Sequence, residues 1–276
     1  MSNRVIVDGL LQEGERLSLK VTSPGFAYGF GLFETIKFRQ RKPCFFNEHF
    51  SRLQQAAKEA RIGFDYTLEE MRQQAIGLFE YNQVNEGIFK IVVSGEGLDS
   101  QVAVFLRNSR LDGANEPIRL RLSNVAKASA AFTSRRKTLN YMENWLELRA
   151  AQAHGFDECL FANELGKVTE CSMSNAFFIK DDVLKTASLD CGLLDGVIRG
   201  QLLRIAEEDG LRVEEGSYGI EEFASADEAF VSSSGKGVVS ISEIQTDRLR
   251  AFPLVGSPLV RQLAARLKEL EDISLG

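Results

Sequence analysis

Lys137-Thr138-Leu139-Asn140-Tyr141 follows two arginines, Arg135 and Arg136, and precedes a stretch with helical spacing. It reads as the end of a strand entering a helix, a place where reactive groups are commonly presented. Neighbouring cations loosen an ammonium's hold on its proton, which favours the neutral amine that attacks a carbonyl. A solvated surface lysine would fit the same five residues, so the stretch alone leaves both readings open.

Outward from this stretch the chain alternates strand and helix signals. Toward the N-terminus, 5–8, 31–38, 88–94 and 102–106 are rich in β-branched and aromatic residues and read as strands. Residues 47–60 read as a helix capped by Asn47, with Phe50, Leu53, Ala57 and Ala60 on one face. Residues 67–79 read as a second helix, with Thr67 and Glu70 at capping-box spacing. The polar run 107–116 ends at Pro117 and reads as a linker. Beyond it, 118–122, 158–161, 176–179, 183–186, 228–232 and 238–244 read as strands. Helices are expected over 141–154, closed by Gly155, and over 197–208 and 258–270. The fold class is therefore mixed α/β, with a small N-terminal domain over 1–112 and a larger one over 113–276.

Composition narrows the function. Apolar residues make up 44% and charged residues 26% of the 276, as in ordinary globular chains. The formal net charge of −6 argues against nucleic acid as a partner. No apolar run reaches the roughly 18–20 residues that span a bilayer, and the start resembles no secretion signal. A cytoplasmic enzyme without a membrane partner is expected. Cys44, Cys159, Cys171 and Cys191 are widely spaced and read as reduced structural thiols. With His49 and His154 the only histidines, no metal site is expected.

Three further stretches carry chemistry. In 167–178, Glu170 lies among small neutral residues, so it must face water or meet a cation. A protonated pyridine nitrogen is one such cation. At Gly196-Val197-Ile198-Arg199 a glycine opens a helix and leaves backbone N–H groups for an anion such as phosphate. Ser232-Ser233-Ser234-Gly235-Lys236-Gly237 offers hydroxyls and N–H groups to the same kind of anion, without the P-loop spacing.

Taken in order, these stretches resemble the fold-type IV pyridoxal-phosphate (PLP) enzymes, which comprise branched-chain aminotransferases, D-amino-acid aminotransferases and 4-amino-4-deoxychorismate lyases. Further matches are Tyr28-Gly29-Phe30-Gly31-Leu32-Phe33-Glu34-Thr35, His49-Phe50-Ser51-Arg52-Leu53, Gly155-Phe156-Asp157-Glu158-Cys159-Leu160, Ser174-Asn175-Ala176-Phe177 and Ala226-Asp227-Glu228-Ala229-Phe230. The resemblance implies a two-domain α/β (α+β) homodimer that binds PLP and a small-molecule amine. It implies Lys137 as the Schiff-base lysine and proton carrier, and Glu170 as the partner of the pyridine nitrogen. Arg52, the N–H groups of Val197 and Ile198, and Ser234 would hold the phosphate. Tyr141 would approach the phenolic oxygen.

Substrate readings are less direct. Phe30 replaces the family's usual aspartate, and the strand over 89–97 lacks the arginine with which D-amino-acid aminotransferases hold a carboxylate. The branched-chain enzymes' Tyr-x-Arg is also missing, and Thr186-Ala187 stands where the family commonly has Thr-Pro. Tyr28, Phe33 and Arg107 are candidate substrate contacts, with Arg110 a further candidate anchor. Lys-Thr-Leu-Asn-Tyr resembles the lyase and D-amino-acid branches more than the branched-chain enzymes, and Thr169-Glu170-Cys171 resembles the lyase branch, which releases pyruvate and forms 4-aminobenzoate for folate. A transaminase of branched-chain or D-amino acids is the alternative, and a non-catalytic dimeric homologue is a third.

Overall fold

The structure is a computed structural model describing residues 4–14, 18, 20–97, 99–107 and 116–275. Its contacts separate two units. The first comprises Met1–Asp112, Lys137–Asn140 and Leu270–Gly276, and the second Gly113–Arg136 and Tyr141–Glu269. The division expected between 112 and 113, and Arg110, lie outside the described residues.

In the first unit the elements run β1 (Arg4–Val7), β2 (Leu10–Glu13), α1 (Pro24–Tyr28), β3 (Gly31–Arg39), β4 (Lys42–Pro43), α2 (Phe46–Ala60), α3 (Leu68–Tyr81), β5 (Gly87–Ser94) and β6 (Gln101–Arg107). The strands form one sheet in the order β2-β1-β6-β5-β3-β4. β3 pairs antiparallel with β5, Leu32 opposite Val93 and Thr35 opposite Lys90. Side chains alternate across a sheet. One face therefore sends Leu32, Ile36, Phe38, Phe89 and Ile91 into a core with Phe50 and Leu53 of α2 and Met71, Leu78 and Phe79 of α3. Phe38 stacks on Phe79 with ring centres 3.8 Å apart. The opposite face carries Phe33, Lys90 and Arg107.

Thr67 and Glu70 form the expected capping box at α3. The cap expected at Asn47 is corrected: α2 starts earlier, after Phe45 in the left-handed region. Phe46 is buried in the core, which favours starting the helix before Asn47. The Asn47 side chain instead accepts a hydrogen bond from Arg72 Nη2 at 2.7 Å.

The second unit contains β7 (Ile118–Lys127), α4 (Phe132–Arg135), α5 (Met142–Ala153), β8 (Glu158–Asn163), β9 (Val168–Cys171), β10 (Asn175–Lys180), β11 (Val183–Ala187), α6 (Val197–Glu208), β12 (Arg212–Gly216), α7 (Ile220–Ala224), β13 (Glu228–Ser233), β14 (Gly237–Gln245) and β15 (Leu249–Ala251). α8 (Pro258–Ile273) follows them in the chain. The sheet runs β12-β11-β10-β13-β14-β7-β8-β9, and β9 pairs back onto β10. That last pairing, Asn175 opposite Glu170, closes β10, β13, β14, β7, β8 and β9 into a barrel. Glu170 therefore stands on a closing strand. β7 runs five residues past the expected 122, because its far end pairs with β8 beyond an irregularity, Lys127 opposite Asn163. No helix among the described residues is long and apolar enough to cross a membrane.

Candidate active site

Lys137–Asn140 joins the first unit as a short extra strand on β3. Phe33 N donates to Lys137 O at 2.9 Å, and Leu139 N donates to Gly31 O at 2.9 Å. Gly31 is required there: a Cβ would run into Val93 O and Leu139 Cδ1. This pairing sets the Lys137 ammonium 4.6 Å from the centre of the Phe33 ring. Lys90 Nζ lies 4.2 Å from the centre of the same ring. Burial, with Arg107's charge added, lowers the pKa of Lys90. Phe33 and Arg107 thus fall on one sheet face with Lys137 and Lys90. Tyr28, at the end of α1, is largely exposed.

Arg52 and His49, three residues apart on α2, lie on one side of that helix and meet Glu34 of β3. Arg52 donates through Nε to Glu34 Oε1 at 2.7 Å and through Nη2 to Oε2 at 2.8 Å. His49 Nδ1 is 2.7 Å from Oε2. Burial alone would raise the Glu34 pKa, but the Arg52 and His49 charges outweigh it and hold the carboxyl well below its usual range. Burial pushes the His49 pKa down, against the pull of Glu34. Glu34 thus takes two of the five donors of the Arg52 guanidinium and fixes its plane.

In the second unit Glu170 is 8% exposed. Its Oε1 accepts from Lys127 Nζ at 2.6 Å, and its Oε2 from Leu194 N at 3.1 Å. Lys127 is itself 6% exposed, with Nζ 4.7 Å from the centre of the Phe161 ring. Asn175 Nδ2 donates to Leu194 O at 2.9 Å, and a Cβ at Gly196 would run into Asn175 Oδ1. Glu170, Asn175 and the start of α6 are thereby drawn together. Gly196 caps α6 with no side-chain bond, so the N–H groups of Val197 and Ile198 point outward from an uncapped positive helix end. Ser232 stands opposite Asn175. The hydroxyl of Ser232 is buried without a hydrogen-bond partner among the described residues. Ser234 is in the half-buried turn after β13.

Tyr141 donates its hydroxyl proton to Ser172 O at 2.8 Å, and Asn144 Nδ2 donates to the same carbonyl at 2.9 Å. Ser172 is held in turn by Glu158, whose Oε1 accepts from its N and Oγ. In this structure the Tyr141 proton is therefore given to the protein.

The fold and these donors define a class. In the second unit a barrel holds a buried acid and an uncapped helix end, and in the first unit a lysine is presented on a strand; each by itself meets one need of PLP. The group requires an amine for its aldehyde, an acid for its ring nitrogen and N–H or O–H donors for its phosphate. The residues present fit it, and the architecture is that of a fold-type IV PLP enzyme.

A model of the family described as "Amino-transferase class IV" matches residues 31–244, and the chain belongs to that PLP-dependent family of enzymes. Family members act on small amino and oxo compounds. The chain is 26% identical over 253 residues to an aminodeoxychorismate lyase of Bacillus subtilis, covering 87% of this chain and 86% of that one. It is 27% identical over 254 residues to a D-alanine aminotransferase of Listeria monocytogenes, covering 87% of each. Among solved structures, a branched-chain aminotransferase from Thermoproteus uzoniensis with norvaline matches with a TM-score of 0.89 at 26% identity, covering 99% of this chain and 96% of that one.

Glu34, Lys90 and Lys127 were absent from the sequence reading of the site. The pattern offered a faint signal for two of them: Glu34 and Lys90 interrupt otherwise apolar strands. Lys127 gave none, since its partner lies 43 residues away.

Proposed function

We propose that the chain is a 4-amino-4-deoxychorismate lyase that splits its substrate into 4-aminobenzoate and pyruvate. The observation that carries this reading is the cationic sheet face, where Lys90 and Lys137 flank Phe33 and Arg107 stands near Lys90. Aminodeoxychorismate has two carboxylates, and cations beside an apolar ring suit a dianion built on a carbon ring. Lys90 and Arg107 take the place of the arginine that the strand lacks. Phe33 packs against the substrate ring, and Tyr28 is the further contact.

PLP, when bound, supplies the electron sink that makes the adjacent C–H acidic. Lys137 would hold the cofactor aldehyde; once the substrate amine has displaced it there, its freed Nζ would take the proton from the carbon bearing that amine. The C–O bond to the enolpyruvyl group breaks, the ring becomes aromatic, and the departing group leaves as pyruvate once its methylene carbon gains a proton. Glu170 holds the ring-nitrogen proton. Arg52, Val197 N, Ile198 N and Ser234 hold the phosphate, with Arg52 oriented by Glu34. Tyr141 braces the phenolic side through Ser172. The boundary between an N-terminal domain over 1–112 and a C-terminal domain over 113–276 belongs to the same reading.

We also propose a homodimer. Met142, Trp145 and Leu146 expose apolar side chains on α5, directly after Tyr141, and a second copy of the chain would cover them. Light scattering should give twice the chain mass, and Trp145→Glu should shift it toward the monomer.

The test of the reaction is acceptor-free turnover. Aminodeoxychorismate with PLP-loaded protein and no 2-oxo acid should give 4-aminobenzoate and pyruvate in equal amounts over many cycles. Amino-acid turnover that strictly requires 2-oxoglutarate, with no pyruvate from aminodeoxychorismate, would replace the lyase with a transaminase.

A further inference from the structure

β7 needs no lysine at its end. Its backbone pairs with β8 whatever side chain stands at 127, and an apolar residue would bury there without desolvating a charge. Instead Lys127 is buried and gives Glu170 Oε1 a 2.6 Å charge-assisted bond. A buried ion pair gains little net stability over a well-packed apolar pair, so stability alone is a weak reason for it. What the pair does change is the acid. With Lys127 on Oε1 and Leu194 N on Oε2, the carboxylate keeps accepting capacity, because each oxygen can take two donors. It must share that capacity with an ammonium.

We infer that Lys127 is a positioning residue that acts through Glu170, fixing its carboxylate and weakening its hold on the cofactor's ring-nitrogen proton. The inference rests on the proposed role of Glu170. Its chemistry is electrostatic: a positive charge behind the acid disfavours a second positive charge in front of it. Taking that charge away should make the acid and the ring nitrogen grip their common proton more tightly. Lys127 thereby sets how strong an electron sink the ring can be, without touching the ring.

The experiment uses PLP-loaded protein, with the cofactor labelled with 15N at its ring nitrogen. NMR follows that nitrogen's protonation against pH in native protein, Lys127→Met, Lys127→Gln, Lys127→Arg and Glu170→Gln. The two neutral variants should raise the titration midpoint by about one pH unit, a tenfold tighter proton. Lys127→Arg should return it to within about threefold of native. Lys127→Gln keeps a hydrogen-bond donor, so it reports the loss of charge even if Lys127→Met does not fold. A purely structural lysine would lower the melting temperature and leave the midpoint in place, which overturns the inference. If Glu170→Gln shifts the midpoint while both neutral variants at 127 match native, only the role of Lys127 fails. If Glu170→Gln also leaves it in place, the role of Glu170 fails first, and the inference with it.

Discussion

Glu34 and Glu170 are both buried strand carboxylates, one in each unit, and they are treated differently. Glu34 meets two basic side chains through three contacts, and its charge is matched on the spot. Glu170 has one ammonium and one backbone N–H. The first is a framing acid, committed to holding Arg52 and His49. The second keeps room for another donor. Both acids are buried, and the number of partners separates scaffold from chemistry.

The contrast can be broken in graded ways. The largest effect is expected from Lys137→Ala, which removes the amine that both proposed steps need. Turnover should fall by at least about a thousandfold, with the yellow colour of the bound cofactor lost and the fold kept by circular dichroism. Next is Glu34→Gln, which leaves Arg52 and His49 without their carboxylate. Removing one member of a buried charged cluster costs on the order of 3–5 kcal/mol, so the melting temperature should drop sharply. PLP should also dissociate more readily, because Arg52 loses its fixed plane. A Glu34→Gln protein as stable and as retentive as native would contradict the framing role.

A smaller effect is expected from pH. The folded pKa of His49 lies below its unfolded value near 6.5, so the unfolded state binds more protons as the pH falls through that region. The contribution is fully present above the unfolded value and is lost below it. The melting temperature should therefore rise between pH 5.5 and 7.5, and His49→Gln should flatten that rise. Glu34, with its pKa lowered, adds a separate loss only below about pH 4.3. The smallest effect concerns the thiols. Cys44, Cys159, Cys171 and Cys191 are buried and free. Burial pushes Cys44 and Cys159 up to about 12 and raises Cys171 as well. A thiol reagent at pH 8 should leave the native protein unmodified and react with all four after unfolding.

Much of this was legible in the chain. The β-branched and aromatic residues of 31–38 and 88–94 marked β3 and β5, and Thr67 with Glu70 marked the start of α3 because capping is local chemistry. Gly196 marked the start of α6 for the same reason. The rest depended on distant pairing. Glu170 looks like a turn residue until β9 closes onto β10. The far end of β7 is a strand only because β8 lies beside it. Asn47 looks like a cap until the burial of Phe46 starts the helix sooner. Lys90 and Lys137 become neighbours only through Phe33, which no spacing along the chain announces.

Lys137, Lys90 and Lys127 are all partly or wholly shielded lysines near proposed site residues, and only one is assigned the bond to the cofactor. Borohydride treatment of the PLP-loaded protein, followed by peptide mass spectrometry, tests that assignment directly. The expected result is a single reduced cofactor adduct on Lys137, absent from Lys137→Ala. An adduct on Lys90 or Lys127, or none on protein that has taken up PLP, would contradict it.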